Sequence, residues 1–206
     1  MNEAKLQQAE KRFLDKYPTG FMHPEFEKIE KQHKMSKMIE FSQENFAKFC
    51  FSKSKDVVDN MTTTISRASM VSVFEKPKFK DFTTNLSTYN EEKMADSLKE
   101  FLHGNQQRGF EDLVAVLATG KLARWPLVTI IPNYVQPNDE VFIKPTTAKG
   151  VIDVFELTNL VYKPTPTWDF YQGYRAEILN MKSKVDASLT PNNAAFCGFL
   201  MMSLDN

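Results

Sequence analysis

The segment FIKPTTAKG (residues 142–150) carries the side chains best suited to holding an anion. Lys144 and Lys149 flank Pro145, Thr146 and Thr147, where an extended stretch is expected to pass into a helix. Unpaired backbone N–H groups and partial positive charge converge at a helix start, and phosphate or carboxylate is held by both. Lys121 and Arg124, just ahead of the apolar run LVTII, are positioned to reach the same end of a small hairpin. The competing reading is plain: Thr146 or Thr147 caps the helix and the lysines are solvated. The segment is not a P-loop, because it lacks the glycines that let backbone wrap a phosphate.

A second chemistry is written in two Glu-x-x-His spacings, Glu30 to His33 and Glu100 to His103. Three residues apart on a helix, carboxylate and imidazole share one side. Two such pairs with two further glutamates build the di-iron or di-manganese centres of four-helix bundles. Glu10, Glu40, Glu44 and Glu111 are the available extra ligands. Both histidines fall at expected helix ends, however, whereas a bundle site needs inward-facing mid-helix positions. With 26 acidic residues in the chain, such spacings also arise by chance.

A third stretch, FEKPKFKDF (residues 74–82), interleaves three lysines with three phenylalanines. Aromatics stack on unpaired bases while lysines neutralise phosphates; a loop clipped to the core by its aromatics gives the same pattern. Nucleophilic catalysis has little support, since there is no Gly-x-Ser-x-Gly elbow and neither Cys50 nor Cys197 has a histidine nearby in sequence. Each cysteine lies in an apolar run and reads as a small core residue, not half of a disulfide. His23 sits in a turn and reads as structural. Trp168, Phe170, Tyr171 and Tyr174 read as core, with base stacking as the rival use.

The totals narrow the classes further. In 206 residues, Lys plus Arg and Asp plus Glu both number 26, and the balance is even on both sides of Gly104. A nucleic-acid coat protein or a polybasic membrane anchor normally shows a strong imbalance. The N-terminus is polar, and the longest uncharged apolar stretch, residues 194–204, is shorter than the roughly 20 residues of a membrane span. A cytoplasmic protein with no membrane partner is expected. The 17 Phe and 10 Met point to a core of large, adaptable side chains.

Positioning these residues falls mainly to helices. Apolar spacing predicts helices over residues 3–16, 24–34, 35–51, 54–68, 105–119, 146–157 and 168–185, and a last one opened by Pro191. Asn90 reads as the N-cap of a helix ending at Gly104, and the periodicity fails between Val71 and Asn90. The exception to helix is residues 120–150. There LVTII (127–131) reads as a strand and residues 141–143 as a shorter one, with Pro137, Asn138 and Asp139 turning between them. The expected fold is therefore α+β and predominantly helical. A helical N-terminal layer (1–104) packs on a C-terminal helical part (105–206) containing a small antiparallel β-hairpin, and 1–206 form a single domain.

The order RWPLVT, FIKPTTAK, LVYKPTPTWDFYQGY, over residues 121–174, resembles a family of uncharacterised bacterial proteins in which F-[IL]-K-P-T follows W-P-x-x-T. That family has no known activity, so the resemblance transfers no site residue. From the residues themselves the leading expectation is a non-enzymatic interaction protein without a cofactor. Its anion site would consist of Arg124, Lys144, Thr146, Thr147 and Lys149, facing an anionic ligand or nucleic acid. The alternatives are a metal-dependent enzyme using Glu30, His33, Glu100 and His103, and a structural homo-oligomer joined through Phe- and Met-rich helices.

Overall fold

A computed structural model of the chain describes residues 1–204. It is all-helical: 71 % of the chain is helix and no strand or sheet occurs among the described residues. The elements run α1 (Glu3–Lys16), α2 (Glu25–His33), α3 (Met35–Asn45), α4 (Ser54–Arg67), α5 (Glu75–Thr84), α6 (Thr88–His103), α7 (Gln106–Thr119), α8 (Trp125–Val135), α9 (Pro145–Val154), α10 (Trp168–Lys182) and α11 (Asn193–Met202). Short 3-10 turns occur at Gly20–Met22, Lys48–Ser52 and Ala187–Leu189.

The expected β-hairpin, and with it the α+β class, is overturned. LVTII is the body of α8, in which every residue from Trp125 to Tyr134 is buried. A helix buried all round shows no amphipathic period, so its β-branched run imitates a buried strand. Pro126 sits in the first turn, where its missing N–H is harmless. Pro132 lies inside the helix, at the expense of one backbone bond. Residues 140–143, expected to supply the second strand, form neither strand nor helix and bond to side chains of α8 instead. The Ile143 N–H donates to Thr129 Oγ1 at 3.0 Å, and Asn133 Nδ2 donates to the Glu140 carbonyl at 3.0 Å. Thr129 and Asn133 are one helical turn apart, so they form a short polar seam along α8 that does the work of a neighbouring strand.

Three other expectations needed correction. The aperiodic stretch between Val71 and Asn90 contains α5, whose inward face is little more than Phe79 and Thr83. Pro77 is tolerated there because it falls in the first turn. The N-cap of α6 is Ser87, whose hydroxyl accepts from the Asn90 N–H, and not Asn90 itself. The stripe expected to run helically to Phe51 ends at Asn45 and continues as the Lys48–Ser52 turn.

Burial joins these helices through one hydrophobic cluster that runs from Leu6 of α1 to Leu200 of α11. At its centre the rings of Phe101, Phe110, Trp125, Trp168, Phe170 and Tyr171 meet mostly edge-on or tilted, the favoured aromatic geometry. The antiparallel pair α6 and α7 packs closest. A Cβ on Gly109 would stand 2.1 Å from the Phe101 backbone nitrogen, so only glycine permits this approach.

Candidate functional site: a cationic corner on a buried polar keystone

Four of the five expected anion-site residues, Arg124, Lys144, Thr146 and Lys149, are exposed at the surface, while Thr147 is buried. Lys144 is the N-cap of α9 with extended backbone, Pro145 opens the helix, and no side chain caps its first turn. Thr146 and Thr147 therefore do not act as caps.

Arg124 and Lys149 are brought together by a ring neither was expected to share. The Lys149 ammonium stands 5.0 Å from the Tyr162 ring centroid. Burial pushes the Tyr162 phenol above its usual range, and the positive charge of Arg124 nearby partly opposes this. The strap carrying Tyr162 is held by the Trp125 indole, whose Nε1–H donates to the Lys163 carbonyl at 2.8 Å. Arg124 also faces Glu75 at the start of α5. Partial burial raises the Glu75 carboxyl, while Arg124, a Ser72 backbone hydrogen bond and Lys78 pull it the other way. The start of α8, α9 and the Tyr162 strap thus share one corner, where the Arg124 charge acts on Tyr162.

Behind that corner lies a polar cluster that the sequence did not announce. Glu140 is only 3 % exposed. Its Oε1 accepts from Arg175 Nη1 at 2.6 Å and from Gln106 Nε2 at 2.7 Å, and its Oε2 accepts from the Tyr171 hydroxyl. Arg175 also donates to Gln106 Oε1 at 3.0 Å and lies over the Trp168 and Tyr171 rings. The Glu140 carbonyl takes two amide donors, Asn133 Nδ2 and Asn193 Nδ2, each at 3.0 Å. Asn193 N–H donates to the Pro137 carbonyl at 2.8 Å, and Lys182 Nζ donates to Asn193 Oδ1 at 2.8 Å. Burial pushes the Tyr171 hydroxyl well up, and the neighbouring Glu140 charge adds to it, so it stays a donor. One buried residue thereby ties α7 and α10 through its carboxylate, and α8 and α11 through its backbone carbonyl, to the segment that delivers Lys144 and α9.

The metal-ligand pairs are spent on local structure. His33 Nδ1 bonds Ser69 Oγ at 2.7 Å, and Glu30 Oε1 accepts from both the N–H and hydroxyl of Ser36. Glu100 Oε2 accepts from the Asn105 N–H, and His103 Nε2 bonds the Phe46 carbonyl at 2.7 Å. Among the described residues no three His, Cys, Asp or Glu side chains gather where they could hold a metal ion. Of the Phe-Lys stretch, Phe79 is buried, Phe82 packs on the core and Phe74 is exposed. Cys50 and Cys197 are both free.

The fold and its site thus define an all-helical protein with an exposed cationic corner set on a buried ion pair. No family model, no curated protein and no solved structure matches this chain. Among the described residues no helix is long and apolar enough to cross a membrane.

Proposed function

We propose that this protein is a non-enzymatic, cytoplasmic binding protein whose corner at Arg124, Lys144, Thr146, Thr147 and Lys149 takes an anionic group, with the phosphates of a nucleic acid among the ligands of that chemistry. The observation that carries the reading is Lys149 at 5.0 Å from the Tyr162 ring, on a helix whose start has no side-chain cap, with exposed Arg124 next to the Trp125 that holds the Tyr162 strap. Side-chain charge and open backbone donors then act on the same ligand. Thr147, being buried, contributes only its backbone N–H, while the Thr146 hydroxyl is free to donate.

The test is the anisotropy of a labelled single-stranded oligonucleotide and of a labelled polyphosphate, titrated with the native protein and with Lys144→Ala/Lys149→Ala. Native binding is expected to weaken steeply as salt rises from about 50 to about 200 mM, and the double variant to show a shallower salt slope. Binding that is salt-insensitive and unchanged in the variant removes the proposal.

A further inference from the structure

Residues 1–33 form an arm that packs within itself. The ring of Phe26, the one buried side chain of α2, has its centroid 5.7, 4.8 and 4.9 Å from those of Phe13, Tyr17 and Phe21. The arm grips the body at residues far along the chain. The Asn2 N–H donates to the Phe155 carbonyl at 2.8 Å, Lys5 pairs with Glu156 at 2.8 Å, and Glu3 pairs with Lys184. The Asp186 N–H donates to Glu10 Oε1 at 2.6 Å, and the Phe13 ring meets Phe199 edge-on at 5.3 Å. Gly20 lies so close to Ser188 that a Cβ would stand 2.4 Å from its hydroxyl oxygen.

A single residue joins this arm to the body. Lys34 ends α2 and starts α3, with φ 50° and ψ 38° in the left-handed region. That conformation is disfavoured about five- to thirtyfold for a residue with a Cβ, and helix ends usually leave it to glycine or asparagine. Lysine, by contrast, is a strong helix former. Its side chain is exposed, and among the described residues it makes no hydrogen bond, ion pair or ring contact that would offset the strain. The bend is bracketed by Glu30 Oε1, which accepts from the N–H and hydroxyl of Ser36, and by His33 Nδ1 at 2.7 Å from Ser69 Oγ. Local preference and observed bend thus disagree at one position, and short strained hinges of this kind invite exchange of arms between copies. With Lys34 in the right-handed region, residues 25–45 run as one helix and the arm points away from its own body. The surfaces at Phe155, Glu156, Lys184, Asp186 and Phe199 are then free, and the segment that matches them in shape and charge is the same arm of a second copy. We infer that this protein forms an arm-exchanged dimer, in which Lys34 is the hinge and residues 1–33 of each copy seat on residues 155–199 of the other. The exchange keeps the arm's contacts and turns two strained hinges into two continuous helices; against it stands the entropy of association. The dimer requires nothing of the cationic corner.

Light scattering behind size exclusion, after long equilibration at rising concentration, tests it on the full chain. The native protein is expected to show a dimer whose share grows with concentration. Lys34→Ala, which favours the straight helix, should associate at least about 25-fold more tightly than Lys34→Gly, which tolerates the bend, about fivefold for each of two hinges. Lys34 is exposed, so both variants should keep the native circular dichroism. The connectivity is read separately in Glu3→Cys/Lys184→Cys on a Cys50→Ser background, treated with a short bis-maleimide. In the dimer fraction the link should join two chains and double the mass on a denaturing gel; in the monomer fraction it should stay within one chain. Equal association of Lys34→Ala and Lys34→Gly overturns the inference, because the hinge then plays no part. A dimer fraction whose links stay within single chains also overturns it, since the copies then meet through an outer surface with each arm on its own body. A Lys34→Ala protein that stays monomeric at every concentration overturns it outright.

Discussion

Replacing Glu140 by alanine is expected to be among the most damaging single changes available in this chain. The substitution removes an acceptor shared by three donors: Arg175, Gln106 and the Tyr171 hydroxyl. The Arg175 side chain is 18 % exposed, so most of its charge would remain in the interior without a counter-ion. Breaking a buried pair by deleting one partner costs about 3–5 kcal/mol. The Tyr171 hydroxyl, fully buried, would lose its acceptor at a further cost of about 1–3 kcal/mol. These losses share one carboxylate, and Arg175 can swing towards solvent, so they do not add in full. A net loss of about 4 kcal/mol is the working figure, a large part of the stability of an ordinary domain. Urea unfolding followed by circular dichroism measures it. Two comparisons make the reasoning specific. Tyr171→Phe removes one donor and should cost only about 1 kcal/mol, and Glu140→Met/Arg175→Met, which removes both charges, should be less damaging than Glu140→Ala alone. A loss below about 1 kcal/mol in Glu140→Ala, or a double variant worse than the single, would refute the claim that an uncompensated guanidinium drives the effect.

Gly109→Ala should destabilise by on the order of 2–4 kcal/mol, because its Cβ would meet the backbone of α6 and neither helix can yield without repacking; an unchanged thermal midpoint would contradict it. Gly198→Ala, inside α11 with nothing within 4 Å of the added Cβ, should instead stabilise by about 0.5–1 kcal/mol through unfolded-chain entropy, and a lower midpoint would show an unseen constraint. Burial pushes the Cys197 thiol up from 9.0 to about 12. The native state therefore keeps a proton that the unfolded state releases, so this contribution is complete below pH about 9 and is lost as pH rises towards 12. In Cys197→Ala the alkaline decline in stability should begin nearer pH 10, where tyrosines ionise in the unfolded chain; an identical pH profile would count against it. Native-state alkylation at neutral pH, followed by mass spectrometry, should mark Cys50 well before Cys197, and the reverse order would mean that the thiol near Lys182 is not buried.

How much of this was legible beforehand depended on whether a helix had two faces. The first helix was read over its observed length, because Leu6, Ala9 and Phe13 fall on one side with charges opposite. α7 was legible for the same reason, except that Asn105 is its cap and not its first helical residue. α8 defeated the same method. It is apolar on every side, it carries Val128, Ile130 and Ile131, and two prolines bracket its middle, all of which speak locally for strand and turn. Tertiary burial settled the matter, together with Thr129 and Asn133, whose spacing of four is the one local sign that the run is helical. α5 was missed for the opposite reason: only Phe79 and Thr83 face inward, too few to make a period. Arg124, Lys144 and Lys149 lie at the surface and Thr147 does not, and the hairpin end expected to gather them does not exist. Tyr162 performs that task, and no spacing rule links positions 124, 149 and 162.

Glu140 was hidden in PNDE, where an acid reads as solvated turn. A hint was available on α10, where Trp168, Tyr171 and Arg175 share one face, and a cation on an aromatic face needs a buried counter-charge. The position of this keystone bears on the corner it supports. The Glu140 carbonyl is held by Asn133 and Asn193, and three residues later the Ile143 N–H is held by Thr129, just before Lys144 starts α9. The placement of Lys144 and Lys149 relative to Arg124, which adjoins the start of α8, is thus set by bonds to α8 itself. Asn133→Ala should consequently act at a distance. Besides a loss of about 1–2 kcal/mol in stability, hydrogen exchange at the Ile143 amide should speed up, and binding of anionic probes should weaken although no charged side chain has been altered. If exchange at Ile143 accelerates while binding is unchanged, the corner does not depend on the seam, and Arg124 with Lys149 would have to be held by the Tyr162 strap alone.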